Sequence, residues 1–123
     1  MKKLLLIVSL LLITNSVYAE WTELGQIEDI KYYYDKSSVT RIGNVARMWR
    51  YNNNTQANIK YKSVLALNEY DCINETLKIL SFTEYSEYDL KGKETKIAKN
   101  LLPTEDFIQP NSIDYLFLKM VCK

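Results

Sequence analysis

From Trp21 to about Ala98, apolar residues do not recur at helical spacing. They come in short runs of Tyr, Val, Ile, Thr and Trp, broken by Gly, Asn, Asp and Ser. This is the punctuation of antiparallel strands, because β-branched and aromatic side chains suit a pleated surface and small polar residues suit turns. The pattern predicts strands near Trp21–Gln26, Lys31–Tyr34, Val39–Arg41, Val45–Tyr51, Ile59–Asp71, Thr76–Tyr88 and Glu94–Ala98. Gly43-Asn44 tolerates positive φ and predicts a tight hairpin, as does Lys91-Gly92-Lys93. Asp35-Lys36-Ser37-Ser38 predicts a turn closed by side-chain bonds to nearby amides. Asn52-Asn53-Asn54-Thr55 reads as a longer, solvated loop. Val64-Leu65-Ala66-Leu67 is apolar at four successive positions, the pattern of a central strand with both faces at least partly covered. Val45–Tyr51 sets Val45, Arg47, Trp49 and Tyr51 on one face and Ala46, Met48 and Arg50 on the other, and so leaves its buried face open.

The cover for such a sheet is expected from the C-terminus. Leu101 to Gln109 reads as an irregular connection, after which Pro110-Asn111-Ser112 resembles a helix start, with Asn111 or Ser112 free to cap the first amides. A short helix to about Val121 follows. Ile113, Leu116, Phe117, Met120 and Val121 fall within an arc of about 140°, a stripe suited to lying on a core. Cys122 points away from the centre of that stripe, beside Leu118 and Tyr115. Either the helix has ended by Cys122 or it is wedged between two surfaces. The expected class is α+β: an antiparallel sheet of about six strands with a C-terminal α-helix packed on it and tethered by a disulfide.

The N-terminus changes the picture by adding a compartment. Met1-Lys2-Lys3 is positively charged, Leu4 to Ile13 is apolar apart from Ser9, and Val17-Tyr18-Ala19 follows the polar break at Thr14-Asn15-Ser16. These are the regions of a secretory signal peptide, and the apolar run is shorter than the roughly 20 residues a spanning helix needs. Residues 1–19 are therefore expected to be cleaved after Ala19. Removing nineteen residues from 123 leaves 104, which suits one domain, 20–123, and not two. Loss of Lys2 and Lys3 leaves fourteen basic against fifteen acidic residues, a net charge of −1 with no global pull towards nucleic acid. Cys72 and Cys122 are the two cysteines, and in an oxidising compartment they are expected to pair. Closing that loop contributes about 4 kcal/mol by chain entropy. A redox role would need closely placed thiols such as Cys-x-x-Cys, which the chain lacks.

Little catalytic chemistry fits the composition. The chain has no histidine, so the commonest general base and metal ligand is missing, and three glycines give no material for a phosphate-cradling loop. No metal site and no cofactor are expected. The carboxylate pairs Glu28-Asp29, Glu84 with Glu87, and Glu105-Asp106 read as solvated surface rather than as a glycosidase pair, which would need an enclosing cleft. The most suggestive local feature is Lys91, Lys93, Lys96 and Lys99, four lysines around one turn and the following strand. They either attract an acidic partner or guard a sheet edge against strand pairing. An unpaired edge also offers a route to a strand-paired homodimer. Tyr32-Tyr33-Tyr34 and Tyr85 with Tyr88 suit half-buried strands and, where exposed, binding surfaces.

Taken in order, Trp21, Tyr34-Asp35, Ser38-Val39, Trp49, Cys72, Tyr85, Gly92, Pro110-Asn111-Ser112 and Val121-Cys122 make the chain resemble the bacterial surface-adhesin protein E family. The resemblance implies an antiparallel sheet whose C-terminal helix is held by a Cys72–Cys122 bridge. It also implies a binding protein for host extracellular-matrix or plasma proteins such as vitronectin, laminin and plasminogen, with a binding region that corresponds loosely to Lys91–Lys99. The family's lipid-anchored members carry a cysteine directly after the signal, whereas Glu20 stands here, so no lipid anchor is expected. The function that follows is a non-enzymatic, exported binding module, periplasmic or secreted and surface-associated if a partner holds it there. The alternative is a periplasmic helper or inhibitor of another bacterial envelope protein.

Overall fold

In the computed structural model, residues 19–99 and 106–123 are described. The predicted signal peptide lies outside them except for Ala19, as does the 101–105 part of the predicted irregular connection. The first two strands, Trp21–Ile27 (β1) and Ile30–Asp35 (β2), pair antiparallel. Asp35 then accepts hydrogen bonds from the Ser37 amide at 3.0 Å and the Ser37 hydroxyl at 2.6 Å, which closes a 3-10 turn over Lys36–Ser38. This is the side-chain-closed turn the sequence predicts. Thr40–Ile42 (β3) and Val45–Asn54 (β4) follow, joined by the two-residue Gly43-Asn44 turn with Gly43 at φ 59°.

Ser63–Asp71 (β5), Thr76–Tyr85 (β6), Glu94–Lys99 (β7) and the two-residue Asp106–Phe107 (β8) complete one antiparallel sheet. Its order is β1-β2-β4-β5-β6-β7, with β3 paired to β4 and β8 to β6. The six-strand path matches expectation, and β3 and β8 are short additions to it.

Three boundaries differ from the sequence reading by three residues or more. The strand β4 runs on through Asn52, Asn53 and Asn54, which were expected in a solvated loop, because Asn53 is buried and finds hydrogen-bond partners across the sheet. Consequently β5 starts at Ser63 rather than Ile59. The strand β6 stops at Tyr85 rather than Tyr88, since Asp89 and Leu90 both adopt left-handed backbone conformations (φ 57° and 62°) and turn the chain back. Lys91-Gly92-Lys93 is thus the end of a longer connection over 86–93 and not a tight hairpin.

The register explains why β4 did not declare a buried face: it buries both. Ala46 pairs with Tyr70 and Met48 with Asn68, and all four are fully buried under the helix. On the opposite face, Tyr51 pairs with Tyr33 and Leu65, and Tyr51 and Asn53 are buried there. The strand β5 lies between β4 and β6, with Ala66, Asn68 and Tyr70 buried on one face and Leu65 and Leu67 half-buried on the other, the partial cover of both faces that its apolar run predicts.

The helix Ile113–Val121 (α1) is capped by Ser112, whose hydroxyl accepts from the Tyr115 amide at 3.2 Å. Its buried residues are Phe117, Leu118 and Val121, while Leu116 is half exposed. The stripe is therefore rotated from the expected one, with Leu118 in and Leu116 out. Two tethers account for the rotation. Asp114 turns to the sheet and pairs with Arg50 at 3.0 Å, with the guanidinium 5.2 Å from the Phe117 ring centroid. Cys122, the residue at which the helix ends, is bonded to Cys72 with 5.6 Å between Cα atoms. Of the two placements for Cys122, the helix has ended.

Candidate functional site

Asn53, Ser63 and Asp89 organise one end of the sheet, where the connections 55–62 and 86–93 meet. Asn53 Nδ2 donates to Asp89 Oδ1 at 2.8 Å and the Asp89 amide donates back to Asn53 Oδ1 at 3.0 Å. Ser63 Oγ donates to the Glu87 carbonyl at 2.6 Å and accepts from the Leu90 amide at 3.1 Å. Tyr51 Oη donates to Asp89 Oδ1 at 3.4 Å. Burial, followed by the negative charge of Asp89, pushes the Tyr51 phenol well above its ordinary pKa, so it stays a donor at neutral pH.

Two buried strand residues thereby hold a connection that passes through two successive left-handed residues, neither of them glycine. Such conformations persist where the surroundings over-determine them. Gly92, at φ 80°, completes the clamp. A Cβ there would run into Ser86 Oγ and lie 2.8 Å from Glu87 Cγ, so the position needs glycine both for its conformation and for space. The Lys93 amide donates to Ser86 Oγ at 2.8 Å.

The four lysines singled out by sequence distribute as follows. Lys91 and Lys93 are exposed on the clamped connection. Lys96 and Lys99 continue on β7, where the backbone register sets them opposite Glu84 and Ser81; their side chains lie outside the described residues. Among the described residues, β7 ends the strand path.

The structure adds a neighbour that sequence spacing could not supply. Lys62 donates its amide to the Tyr85 carbonyl at 2.9 Å, bringing its side chain to the same end. Its ammonium lies 3.4 Å from Glu87 Oε2 and 5.3 Å from the Tyr88 ring centroid. Lys60 and Tyr61, next to it in sequence, are exposed, as is Tyr88. No sequence signal marked Asn53 or Ser63, since an Asn run and a lone Ser read as solvent-facing.

The sheet face opposite α1 carries aromatic residues drawn from three strands, β1, β2 and β4. Trp21 meets Tyr51 edge-on at 4.7 Å, and Tyr33 stacks on Tyr51 at 4.5 Å between centroids. Trp49, Leu65 and Leu67 are half-buried on the same face. In the Tyr32-Tyr33-Tyr34 run, Tyr33 therefore serves this face, whereas Tyr32 and Tyr34 pack on the helix core. Among the described residues no group of three or more His, Cys, Asp or Glu side chains is placed to hold a metal ion, and no helix is long and apolar enough to cross a membrane.

Comparison with known proteins agrees with this architecture. No curated protein sequence matches the chain. Solved structures of Haemophilus influenzae protein E share the fold: one crystal form is 17% identical with a TM-score of 0.60, covering 86% of this chain and 89% of that one. Protein E from non-typeable Haemophilus influenzae is 16% identical with a TM-score of 0.61, covering 86% of this chain and 78% of that one. The sequence model of the family described as surface-adhesin protein E matches residues 21–123. A match over nearly all of the described sheet, its disulfide and its helix leads to one conclusion: the chain belongs to the surface-adhesin protein E family.

Proposed function

We propose that the protein is a non-enzymatic, exported binding module that engages a protein partner through the lysine-bearing end of its sheet. Residues 1–19 act as a cleaved signal, and 20–123 form the exported domain. The partner is a host extracellular-matrix or plasma protein with an acidic segment, of the kind represented by vitronectin, laminin and plasminogen. Family membership supports the class of activity. The observation that carries the choice of surface is the clamped 86–93 connection, which holds Lys91 and Lys93 exposed on backbone fixed by Asn53 and Ser63. Ordering a loop before binding removes much of the entropy cost that a flexible loop incurs on association.

The test is binding of the 20–123 domain to immobilised vitronectin, laminin and plasminogen, with Lys91, Lys93, Lys96 and Lys99 changed together to Gln. Four contributions of about 0.2–1 kcal/mol each predict a loss of at least about fourfold for the partner that binds. Unchanged binding removes this surface from consideration. Labelling of intact cells reaches the protein if it is surface-held, and failure to label favours a periplasmic partner instead.

A further inference from the structure

Lysines from two connections are fixed to the same four residues, 85–88. On one side of that segment the Lys62 amide donates to the Tyr85 carbonyl and the Lys62 carbonyl accepts from the Asn54 amide, both at 2.9 Å. On the other side the Ser86 amide donates to the Lys93 carbonyl at 2.9 Å and the Glu87 amide to the Lys91 carbonyl at 3.1 Å. The Lys91 amide donates back to the Tyr88 carbonyl at 3.2 Å. One carboxylate lies among these three lysines. The Glu87 side chain occupies the space that Gly92 leaves free between Lys91 and Lys93, since a Cβ on Gly92 would stand 2.8 Å from Glu87 Cγ and 3.2 Å from Glu87 Cβ. From there its Oε2 reaches Lys62 Nζ at 3.4 Å.

We propose that Lys62, Lys91 and Lys93 form a carboxylate subsite whose resident anion is the chain's own Glu87, and that an acidic side chain of the protein partner binds by displacing it. This rests on the lysine-bearing end being the partner surface, and it adds to that surface a lysine from the 55–62 connection and an internal competitor. The other acids of this end are engaged elsewhere. Asp89 is held by Asn53 and Tyr51, and Glu94 bonds to the Tyr85 phenol. Glu84 stands opposite Lys96 in the register. Neither Lys91 nor Lys93 has an ion-pair partner among the described residues, so one carboxylate leaves the group with positive charge to spare.

The resident pair is weak enough to yield. The Lys62 and Glu87 side chains are 39% and 56% exposed, and an ion pair so open to water opens readily. Tyr88, whose ring centroid lies 5.3 Å from the Lys62 ammonium, keeps that cation in place when the carboxylate leaves. A partner finds the subsite only in its open fraction, and its apparent affinity falls by that fraction. Removing the Glu87 charge should therefore strengthen binding, the opposite of what loss of an ordinary contact residue does.

The test is an NMR titration of the 15N-labelled 20–123 domain with an oligo-glutamate peptide. Amide resonances of 86–93 are expected to shift saturably. E87Q should bind about two- to fivefold more tightly than wild type, the range set by an exposed ion pair that no longer has to open, and K62Q at least about twofold more weakly. The gain from E87Q should shrink in the K62Q background. E75Q, the same change of charge at the other end of β6, should match wild type. An E87Q variant that binds no more tightly than wild type, an equal gain from E75Q, or an undiminished gain in K62Q overturns the proposal. So does a heparin fragment that shifts 86–93 where oligo-glutamate does not, which assigns the subsite to a sulfated glycan. The quadruple variant K91Q/K93Q/K96Q/K99Q separates two failures. If it binds oligo-glutamate as wild type does, the lysine-bearing end itself is not the partner surface; if it loses binding while E87Q and K62Q match wild type, only the displacement of Glu87 is wrong.

Discussion

Asn53 shows how much a single buried amide can decide. In sequence it is the middle of Asn52-Asn53-Asn54, a run whose composition belongs to a solvated loop. In the structure both ends of its side chain are used by Asp89, thirty-six positions away, and the strand continues because that side chain has somewhere to go. Replacing it in N53A leaves the Asp89 amide and carboxylate without these partners. Unmade bonds of this kind cost about 1–3 kcal/mol, and urea denaturation is expected to show a loss in that range. Amide exchange should accelerate across 86–93 while the strands under the helix keep their protection. Retained protection in that connection would show that Ser63 and Gly92 alone suffice to hold it. Such long-range pairing is invisible to local pattern, and that is why the lysines were legible in the sequence and the frame that presents them was not.

At the scale of elements, strands and turns were legible wherever the physics is local. Gly43-Asn44 meets the backbone demand of a two-residue hairpin, Asp35 closes the next 3-10 turn, and Ser112 caps α1, each through atoms within three residues. What escaped was the rotation of α1 about its own axis. A helical wheel weighs only apolarity, and here Leu118 displaces Leu116 from the core because Asp114 and Cys122 are attached to the sheet through Arg50 and Cys72. The bridge joins positions 50 apart in the chain, and its removal in C72A/C122A returns the loop-closure entropy to the unfolded state. Chain entropy sets the loss at about 4 kcal/mol, a large part of the roughly 5–15 kcal/mol total for a domain of this size. Chemical denaturation should register that loss. Hydrogen exchange should place the first opening in 113–121, the element that the bridge holds at its end; a first opening in β1 or β2 would show that the helix docks independently of its tether.

For the whole molecule, the governing feature is a single sheet with tyrosines embedded in both faces. The fold class, an antiparallel sheet of about six strands with a C-terminal helix, and the disulfide were accessible from the sequence, since each follows from composition or spacing. Which tyrosines would be buried was not, because that depends on register. Burial is the first cause of a raised phenol pKa at Tyr32, Tyr51, Tyr70 and Tyr85, and Tyr70, fully buried beneath α1, is pushed up to about 12. The sign follows from proton linkage. Below the unfolded value of about 10 both states are protonated and stability is intact; above it the unfolded chain releases protons that the folded one retains, so unfolding becomes easier. Stability is therefore expected to hold at a plateau to about pH 9 and to fall between about pH 10 and 12, by up to about 1.4 kcal/mol per pH unit for the fully buried Tyr70, with the partly buried tyrosines adding in the same direction. Y70F separates this from general alkaline damage. At pH 7 it should be the less stable protein by about 1–3 kcal/mol, because Asn68 Nδ2 loses the acceptor it holds at 3.1 Å. Its decline above pH 10 should nevertheless be shallower, so that its deficit against wild type narrows as pH rises. Urea titrations at pH 7, 10 and 11.5 measure both terms, and a constant deficit across the three would mean that Tyr70 ionises in the folded protein as readily as in the unfolded chain.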